Sequence, residues 1–118
     1  MTKNDDGEAA AAFYDKRRKW LDWISEHDEI SHAAFRVGYF IARRMNGDNQ
    51  CCWFSVPAIA KRLGSGAVRD DAGHIRKVKR VSTRTVSDAI IELELAGALI
   101  VVRKPGREST YYLRAPFD

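Results

Sequence analysis

The chain has 118 residues, 45% of them hydrophobic and 31% charged, which is enough for one modest core and too little for a second, so one globular domain is expected. Its formal net charge of +4 and pI of about 9.3 favour a polyanionic partner without requiring one. No apolar run reaches the roughly 20 residues that cross a bilayer, and the start from Met1 to Glu8 lacks the apolar centre of a secretory signal, so a cytoplasmic protein with no membrane partner is expected.

Residues 1–8 are polar and acidic, which predicts a disordered tail. From residue 9 to 27 the spacing predicts a helix with Phe13, Trp20, Leu21 and Ile24 on one stripe and Tyr14 and Trp23 at its margins. Such an aromatic stripe needs a partner surface, either this domain's own core or a second subunit. Lys16, Arg17, Arg18 and Lys19 interrupt it; they read either as a phosphate-contacting arm or as a solvated face whose aliphatic stems flank the tryptophans. Ser31 is placed to cap a second helix from about His32 to Met45, with Ile30 stapling towards Phe35. That helix is apolar around much of its circumference and should be the most buried element. His32, at its start, reads as a surface residue.

After a turn at Asn46 to Asn49, Cys51 to Phe54 is short and β-prone. The adjacent Cys51 and Cys52 are poorly placed to pair with each other, and they read as thiols, one facing inward and one outward. With His27, His32 and His74 scattered, no zinc-like spacing arises, and no metal, cofactor or small-molecule ligand is inferred. Ser55 is a third cap. It opens a short helix from Val56 to Leu63, with Pro57 in the tolerant first turn and Gly64 ending it.

Residues 65–80 contain Arg69, Arg76, Lys77, Lys79 and Arg80 against Asp70 and Asp71. Their glycines and sparse apolar residues predict a mobile basic loop, with a short strand or helix from His74 to Lys79, Ile75 and Val78 facing inward, as the alternative. Ser82 then caps a helix that Gly97 ends, with Val81 stapling towards Val86. Val86, Ala89, Ile90, Leu93 and Ala96 form its core face, while Thr83, Arg84 and Ser87 project from the opposite side of its first two turns. Short polar side chains and one arginine at a helix start suit phosphates and base edges in a major groove; an ordinary solvated face gives the same pattern. Ala98 to Arg103 and Tyr111 to Arg114 read as two strands joined by a basic turn, a hairpin over residues 98–114.

The predicted fold class is therefore mainly α with a small antiparallel β-sheet (α+β). Ser31 to Val37, Cys52 to Ser55 with Ile59 to Gly64, and Val81 to Val86 with Leu93 to Ile100 resemble the winged helix-turn-helix domains of bacterial, phage and plasmid replication initiators and regulators. The match spans roughly residues 30–114. It implies double-stranded DNA as partner, the helix after Ser82 in the major groove, the start of the helix after Ser55 at phosphate, and a wing from Arg103 to Thr110 on the flanking backbone. The candidate DNA contacts are Ser55, Lys61, Arg62, Arg76, Lys77, Lys79, Arg80, Ser82, Thr83, Arg84, Thr85, Ser87, Arg103, Lys104 and Arg107. A small transcriptional regulator and a mobile-element replication factor both fit.

This chain departs from that pattern in two ways. Residues 65–80 are an insertion where the family has a turn of a few residues. Asp88, Glu92 and Glu94 add carboxylates to the recognition helix, and these repel phosphate. Ile91 and Leu95 form a second apolar strip that the N-terminal helix is expected to cover, within one subunit or across a homodimer. The carboxylates and that strip also fit a different class, a winged-helix protein-interaction module with only weak nucleic-acid binding. RNA binding ranks below both because no stacking platform is visible in the sequence. Enzyme chemistry is not expected, since no phosphate-binding glycine loop, metal-ligand set or nucleophile with a base is recognisable.

Overall fold

Three serines start three helices by the same device. The side-chain oxygens of Ser31, Ser55 and Ser82 accept from the backbone N–H of Ala34, Ala58 and Thr85 at 3.1, 3.2 and 3.1 Å, so each helix opens with one of its orphan donors satisfied. These helices are α2 (His32–Arg43), α3 (Val56–Arg62) and α4 (Thr83–Leu95). In the computed structural model, which describes residues 3–115, they follow α1 (Lys3–Glu26) and alternate with β1 (Cys52–Phe54), β2 (Gly64–Arg69), β3 (Ile75–Arg80), β4 (Leu99–Val102) and β5 (Ser109–Leu113). This is the mainly helical α+β class that the periodicity predicts.

β5 is the centre of a three-stranded antiparallel sheet of order β1-β5-β4, with Cys52 opposite Tyr111, Trp53 opposite Thr110, and Ile100 opposite Tyr112. Its inner face (Cys52, Leu99, Tyr111, Leu113) closes on a core built from Ile41, Ile59, Val86 and Leu93 of the three capped helices. α1 lies across α2 and buries Phe13, Trp20 and Ile24 in that same core. The aromatic stripe is thus covered by its own domain. Trp20 is fully buried, and its indole N–H donates to the Ala98 carbonyl at 2.7 Å. The crossing is close because α2 carries Gly38: a Cβ there would lie 3.1 Å from both Trp20 and Ile24 and 3.3 Å from Leu93.

Several expectations need correction. The helix begins at Lys3, so residues 3–8, read as a disordered tail, extend α1; the alanines from Ala9 to Ala12 are strong helix formers. Residues 1–2 lie outside the described residues. The basic segment 65–80 is a two-stranded antiparallel hairpin, β2 with β3. Its glycines do specific work: Gly66 (φ +124°) sits at a register shift between the strands, and Gly73 (φ +85°) sits in the tip. Ile75, offered as an inward residue, is 54% exposed, because the hairpin's packing is mostly between its own two strands; the side chain of Val78 lies outside the described residues. α1 does not cover the Ile91/Leu95 strip, where Ile91 is 47% and Leu95 84% exposed.

The basic run on α1 is divided by function. Lys16 donates to the Leu113 carbonyl at 3.1 Å and Arg17 to the Met45 carbonyl at 3.0 Å, tying α1 to the ends of β5 and α2. Arg18 and Lys19 face solvent and pair with Asp15 at 2.8 and 3.0 Å, which holds the Asp15 carboxyl below its usual range. Among the described residues no helix is long and apolar enough to cross a membrane.

Candidate nucleic-acid interface

One side of the N-terminal turn of α4 faces solvent. Thr83 and Arg84 are exposed, and the Arg84 guanidinium lies 3.9 Å from the Asp88 carboxylate. Ser82 both caps the helix and shares a hydrogen bond with the Thr85 hydroxyl at 2.9 Å. The first turn is therefore rigid while its outward side chains stay available. Ser87 lies further round, half-buried beside Val56 and Arg103.

Beside that turn is a cleft of about 550 Å³ lined by His32 and Arg36 of α2, Leu63 to Gly66, Arg80, Ser82 and Thr85. Arg80, Ser82 and Thr85 belong to the predicted set, and the structure brings them together. His32 and Arg36 were missed. The available signal was their spacing of four residues on α2, which gives the start of that helix a basic edge. Arg36 also donates to the Gly64 carbonyl at 2.6 Å, Ser65 to the Arg80 carbonyl at 3.2 Å, and the Val81 N–H to the Leu63 carbonyl at 2.8 Å. These bonds fix the base of the β2–β3 hairpin against α2 and α4.

The hairpin tip is equally defined. Asp70 accepts from the Ala72 and His74 N–H groups at 3.0 and 2.8 Å, and Arg69 donates to the Gly73 carbonyl at 2.8 Å. Arg76 pairs with Asp70 at 3.0 Å and is partly neutralised. Lys77 and Lys79, opposite Val68 and Gly66, are exposed on one face by the two-residue alternation of a strand. The hairpin thus carries its charge on a preformed ribbon, and it loses little conformational freedom on meeting a partner.

Other predicted contacts lie apart. Ser55 is half-buried with its oxygen engaged in capping. Lys61 and Arg62 are exposed at the end of α3, where Arg62 turns towards α2 and shares a hollow with Phe35, Tyr39 and Arg44. Burial, with Arg62 nearby, lowers the Arg44 pKa from its ordinary value. Arg103 is committed to Glu94 by a two-pronged hydrogen bond, 3.0 Å on one arm, which holds its guanidinium above the usual range. Lys104 and Arg107 are exposed in the β4–β5 turn, where Gly106 takes a positive φ of 69°.

Comparison of the chain with protein-family models, curated proteins and solved structures finds no match.

The carboxylates on α4 have structural partners that the sequence did not reveal: Glu92 accepts from the N–H and hydroxyl of Ser31 at 2.9 and 3.0 Å, capping α2 from across the interface, and Glu94 holds Arg103. Asp88 alone of the three faces the Arg84 side.

Proposed function

We propose that this chain is a non-enzymatic, winged helix-turn-helix protein that binds double-stranded DNA in a sequence-specific way in the cytoplasm, associated with the nucleoid when bound. Its role is that of a small transcriptional regulator or a mobile-element replication factor. The observation that carries the reading is the exposed, capped start of α4, with Thr83 and Arg84 presented outward, standing beside a firmly based ribbon that displays Lys77 and Lys79. A helix start with short polar groups and one exposed arginine suits base edges in a major groove, and flanking lysines suit the phosphates on either side. The order α2–β1–α3–α4–β4–β5, with β1 paired to β5, supports the same reading, as does the β4–β5 turn with Lys104 and Arg107 in the position of a wing.

In this arrangement Arg84, Thr83 and, at the margin, Ser87 read bases. Lys77, Lys79, Arg80, His32 and Arg36 hold backbone, and Arg103 serves the fold. Lys77→Ala tests the ribbon's part: affinity for every duplex should fall alike, and the slope of log K against log salt should become shallower by about 1. An unchanged slope removes Lys77 from the phosphate contacts.

A second reading, a protein-interaction module, rests on Ile91 and Leu95, exposed at 47% and 84%. Its other motive weakens, because Glu92 and Glu94 are engaged within the fold. The same strip is where two copies would meet if the DNA-bound form is a homodimer, since the buried stripe of α1 is already occupied. Leu95→Glu should then lower self-association measured by sedimentation without altering the melting temperature.

A further inference from the structure

The sheet has a second face. Side chains alternate along each strand, so Cys52, Tyr111, Leu113 and Leu99 turn into the core while Trp53, Thr110, Tyr112, Ile100 and Val102 turn out. Four of these outward residues are large and left open: Trp53 is 51% exposed, Ile100 47%, Tyr112 40% and Val102 40%. Trp53 sits opposite Thr110, and Tyr112 is two residues further along the central strand. The two rings are thus diagonal neighbours, a relation that places residues about 7–8 Å apart on a sheet.

What surrounds the rings is polar and cationic. Arg44, Asn46 and Asn49 line the hollow beside Trp53, Arg44 with one arm on the Phe40 carbonyl at 3.0 Å; Lys16, Asp48, Asn49 and Gln50 line the one beside Tyr112, Lys16 with one of its donors on the Leu113 carbonyl at 3.1 Å. Asn49 belongs to both, and Asp48 is the single carboxylate among the residues lining them. Arg114 is exposed one residue beyond the end of β5. Flat aromatic faces and cations at the rim are the two components that hold an unpaired strand.

We propose that this outer sheet face binds single-stranded DNA, with bases stacked on Trp53 and Tyr112 and phosphates held by the rim cations. The choice of DNA over RNA rests on Ile100 and Val102, apolar side chains that suit deoxyribose and thymine methyl groups. The assignment uses none of the residues given to duplex DNA, so either can fail alone.

The test is anisotropy of a fluorescein-labelled dT 12-mer at low salt with the full chain, Trp53→Ala, Tyr112→Ala and Arg84→Ala. Wild type should bind, and each aromatic variant should lose roughly 5- to 150-fold in affinity, the range for one stacked base. Arg84→Ala should bind the 12-mer as wild type does. All the altered side chains are exposed, and a melting temperature equal to wild type confirms that folding is intact. Intrinsic fluorescence gives a second readout: the oligonucleotide should quench emission in wild type and much less in Trp53→Phe, because of the two other tryptophans Trp20 is buried and Trp23 is half-buried against the core. Absence of wild-type binding, or aromatic variants that bind equally well, would overturn the proposal. An rU 12-mer bound as tightly as the dT 12-mer would overturn the assignment to DNA. Self-association lost in Trp53→Ala, with no oligonucleotide binding, would give the face to a protein partner instead.

Discussion

Trp20→Phe should cost about 2–3 kcal/mol of stability, from two sources that the structure separates. The indole N–H bond to the Ala98 carbonyl is lost, but that carbonyl also accepts from the Arg114 N–H at 2.9 Å, so no acceptor is orphaned and this part costs about 1 kcal/mol. The rest comes from truncating a side chain with no exposed surface, about 1–2 kcal/mol for partial loss of a core ring. For a domain of this size the sum lowers the melting temperature by roughly 10 °C. The site of the void is also specified, because the outer edge of the indole lies 3.1 Å from where a Cβ on Gly38 would sit. Gly38→Ala alone crowds Trp20, Ile24 and Leu93 together, and overpacking of this kind, about 1–3 kcal/mol, should exceed the roughly 1 kcal/mol gained in helix propensity. In the Trp20→Phe background one of those three neighbours is gone. Gly38→Ala should then be less damaging by about 1 kcal/mol, a coupling that a double-mutant cycle in urea reads directly. Trp20→Phe within about 0.5 kcal/mol of wild type, a difference typical of surface changes, would refute the burial argument. Equal costs of Gly38→Ala in both backgrounds would refute the packing argument.

The capping of α2 by a carboxylate from α4 predicts a graded series: Glu92→Ala should cost about 0.5–1.5 kcal/mol and Glu92→Gln less, since the amide keeps one acceptor for Ser31; equal melts for all three proteins would remove that cap. At the cysteines, Cys51 is half-buried while Cys52 is buried and directs its thiol to the Ile41 carbonyl at 3.5 Å. One thiol per folded chain should react rapidly with a disulfide reagent and the second only on unfolding. Burial pushes the Cys52 pKa up from 9.0 to about 12 and also raises Tyr111. A raised folded pKa means stability that is full below the unfolded value and lost as pH climbs, so the melting temperature should fall between pH 9 and 12, with a shallower fall in Cys52→Ala. A flat profile would contradict the buried thiol.

Local chemistry made much of the fold legible. Ser31, Ser55 and Ser82 announce their helices because an N-cap is decided within four residues, and Gly97 (φ +77°) announces an end for the same reason. The helical core face of Val86, Ala89, Ile90 and Leu93 could be read from spacing alone. What escaped was tertiary. Gly66 and Gly73 read as loop residues in isolation, whereas a hairpin gives them a bulge and a turn; the short β1 gains its meaning from pairing with β5, at the far end of the chain. Arg103 and Glu94 each looked free until the fold joined them, and Arg36 looked like one more surface arginine until it met Gly64. At the candidate site, the start of α4 was legible because it is one continuous turn. The cleft beside it was not, because three separate segments build it. The outer sheet face was hidden too, since the exposure of Trp53 depends on which neighbour the strand faces.

The most direct test of the central claim is selection of binding sites from a random duplex pool at near-physiological salt, with wild type and Arg84→Ala in parallel. The account predicts an enriched motif for wild type. For Arg84→Ala it predicts relaxed preference at one base pair and a loss of about 1–3 kcal/mol. No enrichment with wild type, and only weak binding that vanishes as salt rises, would contradict it.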